Sequence, residues 1–123
     1  MRDLIGHRPA GAVLVGVAEE NRGRILRANK AFASLLASRP DALVGSRLCD
    51  HIHPADRPRA LAGFLRLIGG ARNALEGTCS LVTGDGEELT VAGYASLVVA
   101  GSSHLVLVRF LELPAGLPNG GLP

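Results

Sequence analysis

Four side chains capable of acid–base chemistry or metal binding stand close together in the middle of the chain: Asp50, His51, His53 and Asp56. Asp50 and His53 have the residue types that a general acid–base pair requires. The two histidines also have the type of ligand that transition metals bind. Only the two aspartates are near enough in sequence to complete a coordination sphere, so we predict no metal site.

The nucleophilic residues of the chain show no catalytic pattern. Cys49 and Cys79 lack C-x-x-C spacing, and two cysteines are too few for a structural zinc site. We therefore expect both to be free thiols in a reducing cytosol. No serine stands in a G-x-S-x-G turn. Gly11 and Gly16 do not form a phosphate-binding loop or a dinucleotide fingerprint, because no helix follows them.

The composition excludes several classes of binding protein. Aromatic residues make up 3% of the chain and Trp is absent, which argues against base-stacking platforms and aromatic cages. The net charge of +2 comes from scattered arginines rather than a basic run, so we predict no nucleic-acid partner. We find no export leader and no apolar run approaching the roughly 18 residues of a membrane span. We therefore expect a cytoplasmic protein with no membrane partner.

Apolar periodicity predicts the elements that position these side chains. Residues 12–18 are a continuous apolar run that predicts a buried strand, and residues 24–28 predict its hairpin partner. Asn29 is a good N-cap for a short helix that carries Phe32. A long helix is predicted to begin at Pro54 and to end at Gly69-Gly70. Its inward face, at positions i, i+3, i+4 and i+7, comprises Leu61, Phe64, Leu65 and Ile68.

The remainder of the domain is predicted to be β-structure. Residues 75–83, 87–99 and 104–113 read as three strands, the first two joined by a turn at Gly84-Asp85-Gly86. A hairpin, a helical segment and a three-stranded meander predict an α+β fold. We expect a five-stranded antiparallel sheet with helices packed on one face.

The two ends of the chain differ from this domain, which we place at residues 12–113. Residues 1–11 are mostly polar or small and read as a lead-in. Residues 114–123 contain three prolines and three glycines, a composition typical of a linker or tail.

Four short motifs, in order and at family spacing, resemble the PAS family of sensor and dimerisation modules of signalling proteins. Residues 29–36 (NKAFASLL) resemble its N-x-A-F-x-x-L helix, and residues 41–45 (DALVG) the acidic segment after it. Residues 48–57 (LCDHIHPADR) resemble L-F-D-x-I-H-P-D-D-R before the long helix, and residues 84–86 (GDG) its K-D-G hairpin. The resemblance covers roughly residues 12–112. It implies that Asn29, Asp50, Pro54 and Asp56 are caps and turn formers.

The same resemblance implies a ligand cavity between the sheet and the long helix, but it disfavours the common cofactors. Leu48 stands where flavin-binding members have a reactive Cys, and Cys49 is one place off. No His lies between Ala55 and Ile68, where haem-binding members supply an axial ligand. We therefore predict neither flavin nor haem.

An unidentified small apolar ligand remains one alternative, and a fully packed interior is the other. Residues assigned to the ligand site are the apolar wall and two polar groups: Leu61, Leu65, Cys79, Leu81, Tyr94 and His104.

The sheet is apolar on both faces, which helices on one face do not explain. In residues 12–18, 87–99 and 104–113 the side chains of both parities are largely apolar. Large exposed apolar patches are rare on monomers, so we predict a homodimer through the outer face. Residues assigned to the interface are Tyr94, Val106, Val108 and Phe110. The opposite parity of the last strand (Leu105, Leu107 and Leu111) remains the alternative.

We accordingly expect a PAS-type signal-sensing and homodimerisation domain that acts on an effector domain or a partner signalling protein, and not an enzyme. The alternative is a small cone-shaped α+β enzyme that uses Asp50 and His53 as its acid–base pair.

Overall fold

The apolar runs of the sequence form five strands of one antiparallel sheet. In the computed structural model, which describes residues 11–113, the strands are β1 (Gly11–Gly16), β2 (Ile25–Ala28), β3 (Ala74–Val82), β4 (Glu88–Ala100) and β5 (Ser103–Glu112). Their order across the sheet is β2-β1-β5-β4-β3, so β2 and β3 are the edges. The predicted α+β architecture is confirmed. The tail at 114–123 and residues 1–10 of the lead-in lie outside the described residues.

Gly11 is the first residue of β1 and not part of the lead-in. It pairs with Phe110 of β5, and it lies so close to the first helix that a Cβ would be 2.9 Å from Cα of Phe32. A side chain at this position would separate the strand from the helix, so only glycine permits the contact.

The three α-helices of residues 11–113 all lie in the segment that joins β2 to β3. They are α1 (Lys30–Leu35), α2 (Pro40–Leu43) and α3 (Arg57–Ile68). Asn29 begins α1 as predicted, since its Oδ1 accepts the N–H of Phe32 at 2.8 Å. The same oxygen accepts the N–H of Ala12 at 2.9 Å, so one side chain ties α1 to β1.

The long helix begins at Arg57, three residues later than predicted. A helix from Pro54 would need the N–H of residue 58 to bond the Pro54 carbonyl, and Pro58 has no N–H. Residues Pro54–Asp56 instead form a separate 3-10 turn. Pro58 falls within the first turn of α3, where a missing N–H costs nothing.

The core lies between the helices and one face of the sheet, which we call the inner face. Phe32 of α1 stacks on Phe110 of β5, with ring centroids 5.4 Å apart. The inner face of the central strands is buried at Val13, Val15, Val91, Val106, Val108 and Phe110. Val106, Val108 and Phe110 therefore belong to the core, and their assignment to a dimer interface is wrong.

We predict that Asn29→Ala destabilises the fold by about 1–2 kcal/mol, because two N–H groups lose their acceptor. Asn29→Asp is the matched control, since a carboxylate caps as well as an amide oxygen and should retain most of the stability. Urea unfolding followed by circular dichroism measures both. Equal losses for the two variants would contradict a role for the Oδ1 acceptor.

Candidate functional site

A cavity of about 390 Å³ lies between α3 and the inner face of the sheet, towards its β3 edge. Its volume is within the range of small-molecule sites. Side chains of α3 form one wall, and inner-face residues of β3, β4 and β5 form the other. Its lining is largely apolar or lacks side chains, as at Leu48, Ile52, Ala60, Gly63, Phe64, Leu67, Leu75, Gly77, Cys79, Gly93, Ala95, Val106, Val108 and Phe110.

Two glycines on adjacent strands provide the space for this cavity. Gly77 of β3 lies directly opposite Gly93 of β4, so the sheet has no side chains at that point of its inner face. A Cβ built on Gly77 would meet nothing within 4 Å, whereas one on Gly93 would be 3.4 Å from the Phe110 ring. The sheet backbone at Gly77 is therefore accessible to a ligand, and strand-interior glycines commonly mark such close approach.

The face that α3 turns towards the cavity differs from the one predicted. Leu61 is 50% exposed and Leu65 is 48% exposed, and neither lines the cavity. The inward stripe runs through Ala60, Phe64 and Leu67 instead, with Leu67 fully buried. The assignment of Leu61 and Leu65 to the ligand site is wrong, because the inward stripe of α3 is shifted by about one residue.

The remaining predicted ligand residues lie in four different environments. Cys79 lines the cavity from β3. Leu81 is fully buried in the hydrophobic core and does not line the cavity. Tyr94 borders the cavity on β4, but it pairs with Arg109 on the outer face and is exposed. His104 is exposed at the start of β5, remote from the lining residues, so its assignment is wrong.

An ion pair closes one end of the cavity. Asp56 accepts the N–H of Ser80 at 2.9 Å and the guanidinium of Arg59 at 2.9 Å. Arg59 also donates to the carbonyl of Thr78 at 3.0 Å, so α3 is tied to the edge strand at two points. Burial alone would raise the pKa of the Asp56 carboxyl, but the Ser80 N–H and Arg59 together hold that pKa below its ordinary value.

The thiol inside the cavity is chemically inert at neutral pH. Burial raises the pKa of Cys79 to about 11, and the nearby Asp56 carboxylate acts in the same direction. Burial also raises the pKa of Cys49. Both are free cysteines and remain protonated at pH 7, and the thiol is the unreactive form.

The acid–base pair predicted as an alternative is not assembled. Nδ1 of His53 accepts the N–H of Ala55 at 3.1 Å, and its Nε2 lies 3.5 Å from Glu88. No hydrogen bond or ion pair between residues 11 and 113 joins His53 to Asp50, which is exposed. His53 therefore caps the 3-10 turn before α3, as the family resemblance implied for this motif.

The contact between Ser46 and His51 has the wrong donor arrangement for catalysis. Oγ of Ser46 donates to the carbonyl of Leu43 at 2.6 Å and lies 2.9 Å from Nε2 of His51. Since its proton is directed to the carbonyl, the hydroxyl accepts from His51, and the imidazole does not act as its base. Burial lowers the pKa of His51, so the ring is neutral at pH 7.

Residues 11–113 bring no three His, Cys, Asp or Glu side chains together as metal ligands. In the same stretch, no helix is both long enough and apolar enough to cross a membrane.

We predict that Asp56→Asn destabilises the protein by about 1–3 kcal/mol at pH 7, because two charge-assisted hydrogen bonds weaken. Asp56 is 16% exposed, whereas Asp41 is 75% exposed beside Arg39, so Asp41→Asn is the control and should change little. The native pKa of Asp56 lies below the ordinary 3.8. Its contribution is therefore complete above about pH 4 and is lost as the pH falls through the native pKa. Urea unfolding from pH 3 to 7 checks this prediction, and a pH-independent difference between the wild type and Asp56→Asn would contradict it.

Solved structures with the same arrangement of strands and helices are PAS domains. The PAS domain of an HTR-like protein from Haloarcula marismortui superimposes with a TM-score of 0.71 at 12% identity, over 87% of this chain and 84% of that one. A PAS domain from a two-component sensor histidine kinase gives 0.60 at 13% identity, over 85% of each chain. A light-oxygen-voltage domain studied with a flavin analogue gives 0.68 at 13% identity, over 86% of this chain and 78% of that one.

At these identities the likeness concerns the fold. No protein-family profile matches the sequence, and no curated protein matches it. The strand order, the helices between β2 and β3 and the cavity beneath α3 agree with the resemblance found in the sequence motifs. The chain has the PAS fold.

Proposed function

We propose that this chain is a signal-sensing module that forms a homodimer through the outer face of its sheet. In this proposal it relays the state of its cavity to an effector domain or a partner signalling protein. One observation carries the proposal: the outer face of the central strands is apolar, and no element among residues 11–113 covers it. The fold shared with a sensor kinase domain and a light-oxygen-voltage domain is consistent with a sensory role.

Cross-strand pairing identifies the side chains of the outer face. Leu107 of β5 lies opposite Leu14 of β1, and Leu105 lies opposite Val98 of β4. These side chains alternate with the buried ones, so they point away from the helices. The outer-face patch comprises Leu14, Tyr94, Val98, Leu105, Leu107 and Leu111, and all six are half-buried or exposed.

A second copy of the chain is the simplest cover for this patch. Tyr94 is 45% exposed and Leu111 is 43% exposed, and contiguous apolar surface of this kind marks interaction sites. A specific interface buries about 800 Å² on each partner, which a patch across three central strands can supply. Since both copies present the same surface, a two-fold arrangement satisfies both at once.

The cavity supports a sensory role for the same domain. It is open to solvent at the β3 edge, apolar, and of a size that suits a small ligand. The residues around it fit haem poorly, because no histidine lies among them, the Cys79 thiol is protonated and Tyr94 pairs on the outer face. A flavin-reactive cysteine does not fit either, since the protonated Cys79 thiol is a poor nucleophile. We therefore propose a small apolar ligand that is neither haem nor flavin.

A regulatory role also agrees with the state of the ionisable groups. Two ionisable residues of the motif are in structural use: His53 caps a 3-10 turn and Asp56 pairs with Arg59. Two free cysteines suit the reducing cytosol in which we propose that the module works. Catalysis in this proposal belongs to the effector that the module controls.

We predict that Leu107→Glu gives a folded protein of half the native mass, because a carboxylate on the outer face disrupts the dimer but leaves the core intact. Val108→Glu, one residue along, is the matched comparison. Val108 is 8% exposed, and a buried charge there should cost more than about 4 kcal/mol and unfold the domain. Light scattering coupled to gel filtration, with circular dichroism, separates the outcomes. A folded dimer of Leu107→Glu would contradict the assignment of this face.

We predict that the protein purified from bacteria has no absorption band above about 350 nm, where haem and flavin absorb, because no histidine lines the cavity and its one thiol is protonated. An absorption spectrum measures this directly. A Soret band or a flavin band at near-stoichiometric intensity would contradict the proposed ligand class.

A further inference from the structure

We infer that the cavity binds an apolar carboxylate, such as a medium-chain fatty acid, whose headgroup is held by Arg66 and Arg72 at the opening between α3 and β3. This inference rests on the proposed function, since it names the ligand class of the same cavity. The argument depends on which polar groups face the opening and which of them already have partners.

The interior accommodates the apolar part of such a ligand. The floor is the bare backbone of Gly77 and Gly93, and the wall is Ala60, Phe64 and Leu67. The thiol of Cys79 also lines the cavity and is protonated. An alkyl chain would therefore meet apolar surface throughout and would be stabilised by burial.

The opening lies along one edge of α3. Arg59, Gly63 and Arg66 follow one another at i, i+4 and i+7, so they lie along one side of the helix, and all three line the cavity. Gly63 lets the helix approach β3, since a Cβ there would be 2.8 Å from the Leu75 side chain. Arg59 and Arg66 thus border the cavity on either side of the point where α3 meets β3.

One of these arginines is engaged and the other is not. Arg59 bonds Asp56 and the Thr78 carbonyl. The guanidinium groups of Arg66 and Arg72 make no hydrogen bond or ion pair with any other residue in the 11–113 range. Their backbones are close, because the carbonyl of Arg66 accepts the N–H groups of Ala71 at 3.0 Å and of Arg72 at 3.3 Å, and both residues line the cavity.

Neither acidic residue that lines the cavity forms an ion pair with Arg66 or Arg72. Asp56 is bound to Arg59. Glu76 is the other acidic lining residue, but it lies opposite Tyr94, so its side chain leaves from the outer face. The opening is therefore cationic beside an apolar interior. A guanidinium group binds a carboxylate through a pair of hydrogen bonds. Neither an alcohol nor an ammonium group can accept such a pair.

The backbone of the edge strand β3 adds further hydrogen-bond donors for a carboxylate. The N–H and carbonyl of Ser80 and the carbonyl of Thr78 point away from β4. Alternation along the strand directs the N–H groups of Thr78 and Glu76 to the same edge. A carboxylate at the opening can therefore accept from the strand as well as from the arginines.

The experiment is isothermal titration calorimetry of the full chain with three ten-carbon probes: decanoate, decan-1-ol and decyltrimethylammonium. We expect decanoate to bind about tenfold more tightly than decan-1-ol, as one pair of charge-assisted hydrogen bonds would give. The ammonium probe should bind more weakly than the alcohol. Raising the salt concentration should weaken decanoate binding and leave decan-1-ol binding unchanged.

Two variants assign the effect to the proposed residues. The double variant R66Q/R72Q should bind decanoate about tenfold more weakly and decan-1-ol unchanged. The double variant R27Q/R39Q is the control, since it removes two exposed arginines elsewhere and should bind both probes as the native chain does. Gly77→Leu fills open space and should abolish binding of both probes without lowering the thermal midpoint.

The outcomes separate this inference from the proposed function. Equal binding of decanoate and decan-1-ol, both lost in Gly77→Leu, would overturn the carboxylate and leave the apolar ligand in place. Loss of decanoate binding in R27Q/R39Q to the same extent as in R66Q/R72Q would overturn the assigned headgroup site. If no probe bound the native chain, or if Gly77→Leu bound them all, both the ligand class and the proposed cavity ligand would be wrong. The oligomeric state of the protein is measured separately, so none of these binding results bears on the proposed dimer.

Discussion

All the α-helices of this domain lie in a single connection, and they can cover only one face of the sheet. The connection runs from β2 to β3 across the two edges, and Asn29 fixes where it starts by bonding both α1 and β1. In each central strand, therefore, every second side chain faces the helices, and the side chains between them face the other side of the sheet, which the helices do not cover. The apolar side chains of both parities are the feature from which the proposed dimer follows.

The inner face itself is packed unevenly, and that difference creates the candidate site. Towards α1, Phe32 stacks on Phe110 and Gly11 lets the helix touch the strand, so α1 packs directly on β1 and β5. Towards β3, the paired glycines Gly77 and Gly93 replace side chains, and α3 is tied to the edge strand by Asp56 and Arg59. A region packed directly under α1 and a cavity under α3 suit a module that must bind a ligand without losing its fold. Because β4 and β5 carry the cavity on one side and the outer-face patch on the other, a ligand that moves these strands would also act on the interface.

The fold was predictable because its signals are local. Alternating runs, an N-cap at Asn29 and a glycine turn at residues 84–86 determine the elements, and only one architecture buries them all. The start of α3 was mispredicted at Pro54, although Pro58, four residues on, already ruled out a helix there. The inward stripe of α3 was also mispredicted, since hydrophobicity selected Leu61 and Leu65 over the smaller residues at 60 and 63. A cavity needs small residues on its wall, and ranking by hydrophobicity overlooks them.

Which side chains of β5 face the core could not be predicted from hydrophobicity. Leu105, Leu107 and Leu111 are as apolar as Val106, Val108 and Phe110, so hydrophobicity does not distinguish the faces. Arg109 was the available signal, because a charged side chain in mid-strand indicates the parity that faces away from the core. Gly77 and Gly93 likewise stood in strand interiors, where glycine suggests a close backbone approach, but their juxtaposition depends on the β3–β4 register and becomes evident only in the structure.

The central claim is that a second copy of the chain covers the outer face, and sedimentation equilibrium of the unmodified protein tests it most directly. The account predicts a single species of twice the 12.7 kDa chain mass that persists on dilution to about micromolar concentration, as a standard-sized apolar interface should. A monodisperse monomer that stays in solution at high concentration would contradict the dimer, and with it the explanation of a sheet that is apolar on both faces.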